Sequence, residues 1–423
     1  MKILIPLFIS LIINFQSLGQ YTLIPDSNFE QALIDLGYDS GPKNGWVLTA
    51  SIAQVYYLGI PSKNIKSLNG IEDFVNLERL DCWNNELTAL NTSNNLLLTH
   101  LACQNNNLEV IDVSQNHKLT WLFCGNNNLR YLNVSKNIQL THLDCYDNKL
   151  TVFDISKNLK LEWVMCALNQ LTKIDVSKHI HLRSLQCGQN SISGVDVSKN
   201  IELEYLSCDN NLLTEIDVSL NPKLLRLLCG NNNIKNLNFE NNLNLTSLSF
   251  YDTPIYEIDI SNKILLKYVE FSNTPLACLN FGVSESVSEE ITLTASNVPN
   301  LSCIDIGNLN KSQFKWLYLD DGITLQKDCI FSCEPINDTS EVKKINISVY
   351  PNPTNGNFTV SFNGEVVEHV EGVLINAIGQ KIKYYEFNLV SEFAIEINQS
   401  SGVYFLQLIT GSSQPIIYKI LKQ

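Results

Sequence analysis

Eight cysteines recur every 21 residues: Cys82, Cys103, Cys124, Cys145, Cys166, Cys187, Cys208 and Cys229. If each holds the same place in a stack of coils, neighbours sit about one strand spacing apart, ~4.8 Å. That exceeds the ~3.8 Å between the Cβ atoms of a disulfide, and no CxxC pair supports zinc. Buried free thiols are expected, packing as small, soft apolar groups. A second row carries oxygen ligands: Asp112, Asn133, Asp154, Asp175, Asp196, Asp217, Asn238 and Asp259. Stacked carboxylates repel unless they are solvated, bonded to turn amides or bridged by cations. The Asp-x-Ser-x-Asn context favours turn capping. A calcium ladder is the alternative, though the Gly-rich calcium nonapeptide is missing. In the loop Asp39–Gly45, Lys43 stands where calcium needs oxygen. No metal and no cofactor is expected.

Catalytic constellations fare poorly. Asp81 and Asp144 lie three repeats apart, about 14 Å at strand spacing, too far for a glycosidase pair at ~5–9.5 Å. His100 and His142 are separated by Trp121, which makes a shared metal awkward. Nucleophile-elbow, HExxH, P-loop and dinucleotide fingerprints are absent. The expectation is a protein with no catalytic residues.

What positions these rows is a repeat, L-x-x-L-x-C-x-x-N-x-L-T-x-L-D-V-S-x-N, running without insertion from about Leu77 to Leu279. In the last two repeats Phe250 and Phe271 replace cysteine, and Thr253 and Thr274 replace the ninth-position asparagine. A drift-free period implies one coil per repeat. The L-x-x-L-x-C portion alternates and predicts a short strand, paired in parallel with its neighbours; eleven make an arc of roughly 50 Å. The ninth-position asparagines, Asn85 to Asn232, can serve a donor and an acceptor where the backbone turns inward. The first eleven positions resemble the leucine-rich repeat, with cysteine at a strand leucine, and the chain resembles bacterial secreted proteins of that kind. The fold class expected is mainly β: a leucine-rich repeat solenoid with a parallel sheet and short helical N-terminal cap, then a small antiparallel β-sandwich.

The domain reading is a signal peptide at 1–19, an N-terminal cap at 20–54, repeats at 55–281, a C-terminal cap at 282–333, a linker at 334–344 and a final domain at 345–423. The apolar run Ile3–Ile13 with Ser17-Leu18-Gly19 reads as a cleavable secretory signal, too short to span a bilayer. No later run is long enough to cross a membrane. In the cap, Ser27 and Glu30 form an S-x-x-E capping box, and Phe29, Ala32, Leu33 and Leu36 share a helical face. Four cysteines, Cys278, Cys303, Cys329 and Cys333, fall just past the array and suit a disulfide-closed cap. LSCID and QKDC resemble the closing segment of secreted bacterial leucine-rich proteins, which implies pairing of Cys303 with Cys329. Pairing of Cys278 and Cys333 stays open. A formal charge of −14 argues against nucleic acid.

Beyond the linker come about seven strand-like runs broken by turns. SVYPNPTNGNFTVSF, LINAIGQKI, SSGVYFLQL and a closing YKILKQ resemble, in that order, the type A sorting domain of the type IX secretion system. The matching residues are Pro351, Asn352, Pro353, Gly356, Gly379, Gly402, Tyr404 and Lys419. The resemblance implies handling by the type IX machinery and delivery to the medium or the outer cell surface. There, surface lipopolysaccharide is a further partner for an attached passenger.

Alternation also identifies the outward side chains of the strand face that leucine-rich repeats use for binding. The third position gives His100, Trp121, His142, Trp163 and Tyr205, the fifth Phe123, and the seventh Trp83 and Tyr146. Large aromatics have no packing duty in water and are enriched at hot spots. These seven, His100 excepted, are the expected ligand-binding residues; the competing reading is that the rings simply cover one another. The function expected is a secreted or surface non-enzymatic binding protein using its concave face for protein–protein interaction or adhesion. The partner is a protein of unknown identity. The alternative is a glycan-binding adhesin that stacks sugars on the tryptophans.

Overall fold

The structure is a computed structural model. It describes residues 20–281, 291–307, 309, 312, 314–327, 329, 347–362, 366–376, 381–410 and 416–423. The signal-peptide segment, the linker, Cys333 and Gly379 lie outside the described residues. The chain divides into two compact units, Met1–Cys333 and Glu334–Gln423.

In the first unit the alternating L-x-C segments form three-residue strands such as His100–Ala102, Trp121–Phe123 and His142–Asp144. Each pairs in parallel with the next, one residue against its equivalent 21 further on. The sheet has thirteen strands, from Tyr57–Gly59 to Phe314–Leu319. That is two more than the repeats suggest. Ile291–Ala295 and Phe314–Leu319 extend it past the array, because their apolar residues continue the same inward row although their spacing has lost the 21-residue period. Across the coil from this sheet, Glu257–Asp259, Cys278–Asn280, Cys303–Asp305 and Thr324–Gln326 form a second, four-stranded parallel sheet.

Inside, the leucines at the first, fourth and eleventh positions and all eight ladder cysteines are buried. The cysteines are free. Burial raises their thiol pKa values, to about 12 at Cys187 and Cys229. Phe250 and Phe271 take over the row and stack at 5.9 Å. The Cys303–Cys329 disulfide closes the C-terminal side, and Cys278 is disulfide-bonded as well.

Two rows of buried asparagine tie the coils together. The ninth-position row works between coils as well as within one: Asn106 Nδ2 donates to Cys82 O and Cys103 O, and its Oδ1 accepts from Leu87 N. The asparagines at the nineteenth position, expected as local turn formers, also bond between coils, through Nδ2 to the coil before. Asn137 Nδ2 donates to Val113 O and Asn116 O, both at 2.9 Å. Where this row ends, a buried lysine takes the asparagine's place, with Lys263 Nζ donating to Glu240 O.

The N-terminal helix spans Ser27–Asp35, but its cap is Asp26 rather than Ser27. Asp26 Oδ1 accepts from the N–H groups of Asn28 and Phe29, and Oδ2 accepts from Lys66 and Ser67. Glu30 is not available for a capping box because it accepts from Asn44 and Gly45. The helix buries Phe29, Ala32 and Leu33, with Phe29 stacked on Phe74 over the first coil.

Among the described residues, the second unit holds seven antiparallel strands in a three-stranded and a four-stranded sheet. Phe358, Val360 and Ile395 of one and Leu374, Leu406 and Ile420 of the other share one apolar core.

Candidate interaction face

The strand pleat turns the fourth- and sixth-position side chains inward and the third- and fifth-position ones outward. With every strand in register, each outward row becomes a line of side chains at strand spacing. In the third-position row four rings meet in succession. His100 and Trp121 lie 5.1 Å apart, Trp121 and His142 4.6 Å, and His142 and Trp163 5.9 Å between centroids. Phe123, half-buried in the fifth row, packs on Trp121 at 5.7 Å. Rings therefore spend much of their faces on each other, while Trp121 and Trp163 remain 38% and 48% exposed.

The imidazoles are held in place from below. Thr99 Oγ1 bonds His100 Nδ1 at 2.7 Å, and Thr141 Oγ1 bonds His142 Nδ1 at 2.9 Å. Burial lowers both imidazole pKa values, with the Arg79 guanidinium adding to the effect on His100. The tract is accordingly uncharged at neutral pH.

Of the residues singled out from sequence, Trp121, Phe123, His142 and Trp163 are brought together. His100, outside that set, completes the row; its place in the third position was the available signal. Tyr205 is half-buried two strands on, beyond Ser184, which is itself buried. Trp83 and Tyr146 occupy the seventh-position row just past the strands, Trp83 half-buried and Tyr146 at the border of exposure. Among the described residues neither joins the ring row. Small residues in the seventh row make room for the next coil: a Cβ on Gly230 would lie 2.3 Å from the Tyr251 ring.

Charges on the face are largely spoken for. Arg79 donates to both oxygens of Asp81, which also accepts from Tyr57. Asp144 accepts from Tyr146 N, and burial raises its pKa. On the opposite turn the aspartate row caps itself. Asp112, Asp154, Asp175, Asp196 and Asp217 each accept the N–H of the serine two residues on. Bonds from that serine are the main reason these carboxyls sit below the usual range. Among the described residues no cluster of three or more His, Cys, Asp or Glu is placed to hold a metal ion.

In the second unit the motif residues fasten the chain end. Asn352 Nδ2 donates to Lys419 O, and its Oδ1 accepts from Leu421 N. The Pro351 and Pro353 peptide bonds flanking it are cis. Gly356 has a φ of +123°, and its carbonyl accepts from Ile397 N. Tyr404, buried, donates to Ser400 O, and Gly402 opens the strand that pairs with the last one.

Residues 348–423 match the family described as "Secretion system C-terminal sorting domain". This assigns the chain to secretion toward the outer surface, and no described helix is long and apolar enough to cross a membrane. No curated protein matches the chain in sequence. Among solved structures, it is similar to the functional domain of InlJ from Listeria monocytogenes, described as including a cysteine ladder. The identity is 21%, covering 96% of this chain and 99% of that one, with a TM-score of 0.57. An internalin (inlF) from the same organism matches at 18% identity over 68% of this chain and 97% of its own, TM-score 0.52. The leucine-rich effector YopM from Yersinia pestis matches at 21% identity over 71% and 100%, TM-score 0.50. At these identities the likeness is one of fold: a leucine-rich repeat solenoid carrying a cysteine ladder.

Proposed function

We propose that this secreted leucine-rich repeat protein is a non-enzymatic binding module whose concave sheet contacts another protein, in adhesion or a related surface interaction. The contact centres on Trp121, Phe123, His142 and Trp163, with Trp83, Tyr146 and Tyr205 at its margins. One observation carries this reading: a tract of partly exposed rings lies where nothing in the fold needs them, and the rings pack on one another, tilted from His100 through Trp121 to His142 and stacked from His142 to Trp163. Their edges and the intervening apolar surface are then what a partner meets. A protein interface uses such rigid aromatic anchors readily. A sugar instead requires an open ring face, which ring contacts on either side restrict at Trp121 and His142.

The glycan reading keeps one foothold. On the side of Trp163 away from His142, the next coil offers only Ser184, too small to cover the indole.

The test combines affinity capture from culture medium and surface extract with a glycan array, using the secreted protein and Trp121→Ala and Trp163→Ala variants. Capture of a protein partner by the wild type, weakened at least tenfold in Trp121→Ala, is expected. Glycan binding lost in Trp163→Ala alone would favour the second reading. Turnover of casein or a polysaccharide would overturn both.

A further inference from the structure

The residue after the nineteenth position of each coil has no packing duty, yet it is aliphatic in coil after coil. Ile138, Leu159, Ile180 and Ile201 stand in four consecutive coils, and the row runs out to Leu96 on one side and Ile264 on the other, with His117 and Pro222 as interruptions. All six named aliphatics are 46–55% exposed. Single exposed leucines are ordinary. A row in the same coil position is not, because parallel pairing without a register slip sets these side chains in line at strand spacing, about 4.8 Å apart.

Cations border the row on one side. Two residues before it come Lys136, Lys157, Lys178 and Lys199, all exposed. One residue after it the same four coils carry a mixed row, Gln139, Lys160, His181 and Glu202, in which Lys160 bonds Gln139 and Glu202 pairs with Lys223 of the next coil. This concentration stands out in a chain with 29 basic and 43 acidic residues. The aspartates of the preceding turn, Asp154, Asp175 and Asp196, lie further round the coil and are committed to serine N–H groups.

We infer that this flank is a docking surface for an anionic lipid bilayer: the isoleucines and leucines enter the acyl boundary while the lysine row beside them reaches phosphate groups. An apolar line with a basic border is the composition of interfacial membrane segments, and lysine stems are long enough to keep their ammonium groups at headgroup level. A second copy paired about a two-fold axis across the row would set its lysine row against the same lysine row. The line is one side chain wide and uniform along its length, so it offers a protein partner no feature that fixes register. A fluid surface needs none. The sorting domain delivers the chain to the outer cell surface, where a bilayer is at hand. The inference does not depend on the concave face.

Flotation of the full secreted chain with vesicles tests it, using phosphatidylcholine alone and an equal mixture with phosphatidylglycerol. Binding to the mixture only, weakened by added salt, is expected. The variant I138S/L159S/I180S/I201S, folded by circular dichroism, should lose at least tenfold in partitioning. A lysine near an anionic surface contributes about fivefold, so K136Q/K157Q/K178Q/K199Q should fall by about several hundredfold. Wild-type protein left unbound by the mixture would overturn the proposal, as would binding undiminished in the serine variant. Concentration-dependent dimers that dissolve in the serine variant, or an acidic protein captured in place of lipid, would overturn it too. Trp121→Ala should leave flotation unchanged.

Discussion

Replacing Asn148 with alanine tests the idea that cross-coil amide bonding, rather than leucine packing alone, locks the solenoid. Asn148 Nδ2 donates to Cys124 O and Cys145 O at 3.1 Å, and its Oδ1 accepts from Leu129 N at 2.9 Å. Leu129, Cys124, Cys145 and Leu150 around it are fully buried, so water cannot take over these bonds. A buried polar group left unpaired costs about 1–3 kcal/mol. Alanine strands the Leu129 N–H outright and takes a donor from a carbonyl in each of two coils, for a loss of about 3 kcal/mol. Threonine is the informative intermediate. In the last two coils Thr253 and Thr274 donate to Phe250 O and Phe271 O, within their own coil only. Asn148→Thr should therefore keep the bond to Cys145 O, lose the link to Cys124 O, and cost about half as much. Asn128→Ala, where the half-buried side chain accepts from the Lys149 ammonium at the surface, should stay within about 0.5 kcal/mol of wild type. Urea unfolding followed by tryptophan fluorescence reads all three at an unchanged m-value. The reasoning fails if Asn148→Ala costs under about 1 kcal/mol, or if threonine is no better than alanine.

Other outcomes follow from neighbouring features. Leu168 holds a left-handed conformation, φ +53°, at a position where Asn105, Asn126, Asn210 and Asn231 stand in other coils. Leu168→Asn should raise stability by about 1 kcal/mol, seen as a higher urea midpoint. The ladder cysteines should ignore a thiol reagent in the native protein, and at least eight should titrate after denaturation without reductant; two or fewer would contradict the packing. His100 and His142 have lowered pKa values when folded, so below about pH 6.5 the unfolded chain binds more protons. Stability should hold above that pH and fall as pH drops through the two folded values, and H100Q/H142Q should flatten the slope in urea titrations between about pH 7 and about pH 5.

Much of the fold was legible because one period governs it. Cys82 to Cys229 fixed the inward row and, by alternation, the outward rows on either side. What escaped was chiefly the use made of side chains between coils. Asn137 and Asn158 sit in a sequence context rich in turn formers, and their cross-coil bonds require carbonyls 21 and 24 residues away. Ser27 looked like a cap because the S-x-x-E spacing is local, whereas Glu30 was recruited by Asn44 and Gly45. The strands Ile291–Ala295 and Phe314–Leu319 lacked the period that made the others visible. On the candidate face, side-chain direction was readable from alternation. Ring-on-ring contact stood only as the competing reading, since it depends on rotamers that spacing leaves open. The aliphatic flank was present in the sequence at the same interval as the cysteines, but a pattern search weighted toward buried positions passes over it.

Because each coil makes the same bonds to the coil before it as to the coil after, the array has no privileged middle. Excising residues 126–146, one whole period, would join Gly125 to Asp147, seventh position to eighth, and restore the thiol row, both amide rows and the strand register at the seam. Unequal crossing-over between the stretches of gene that encode these equivalent coils would thus yield folded descendants whose reach differs by whole coils. Length is the property that this architecture leaves freest to vary across generations.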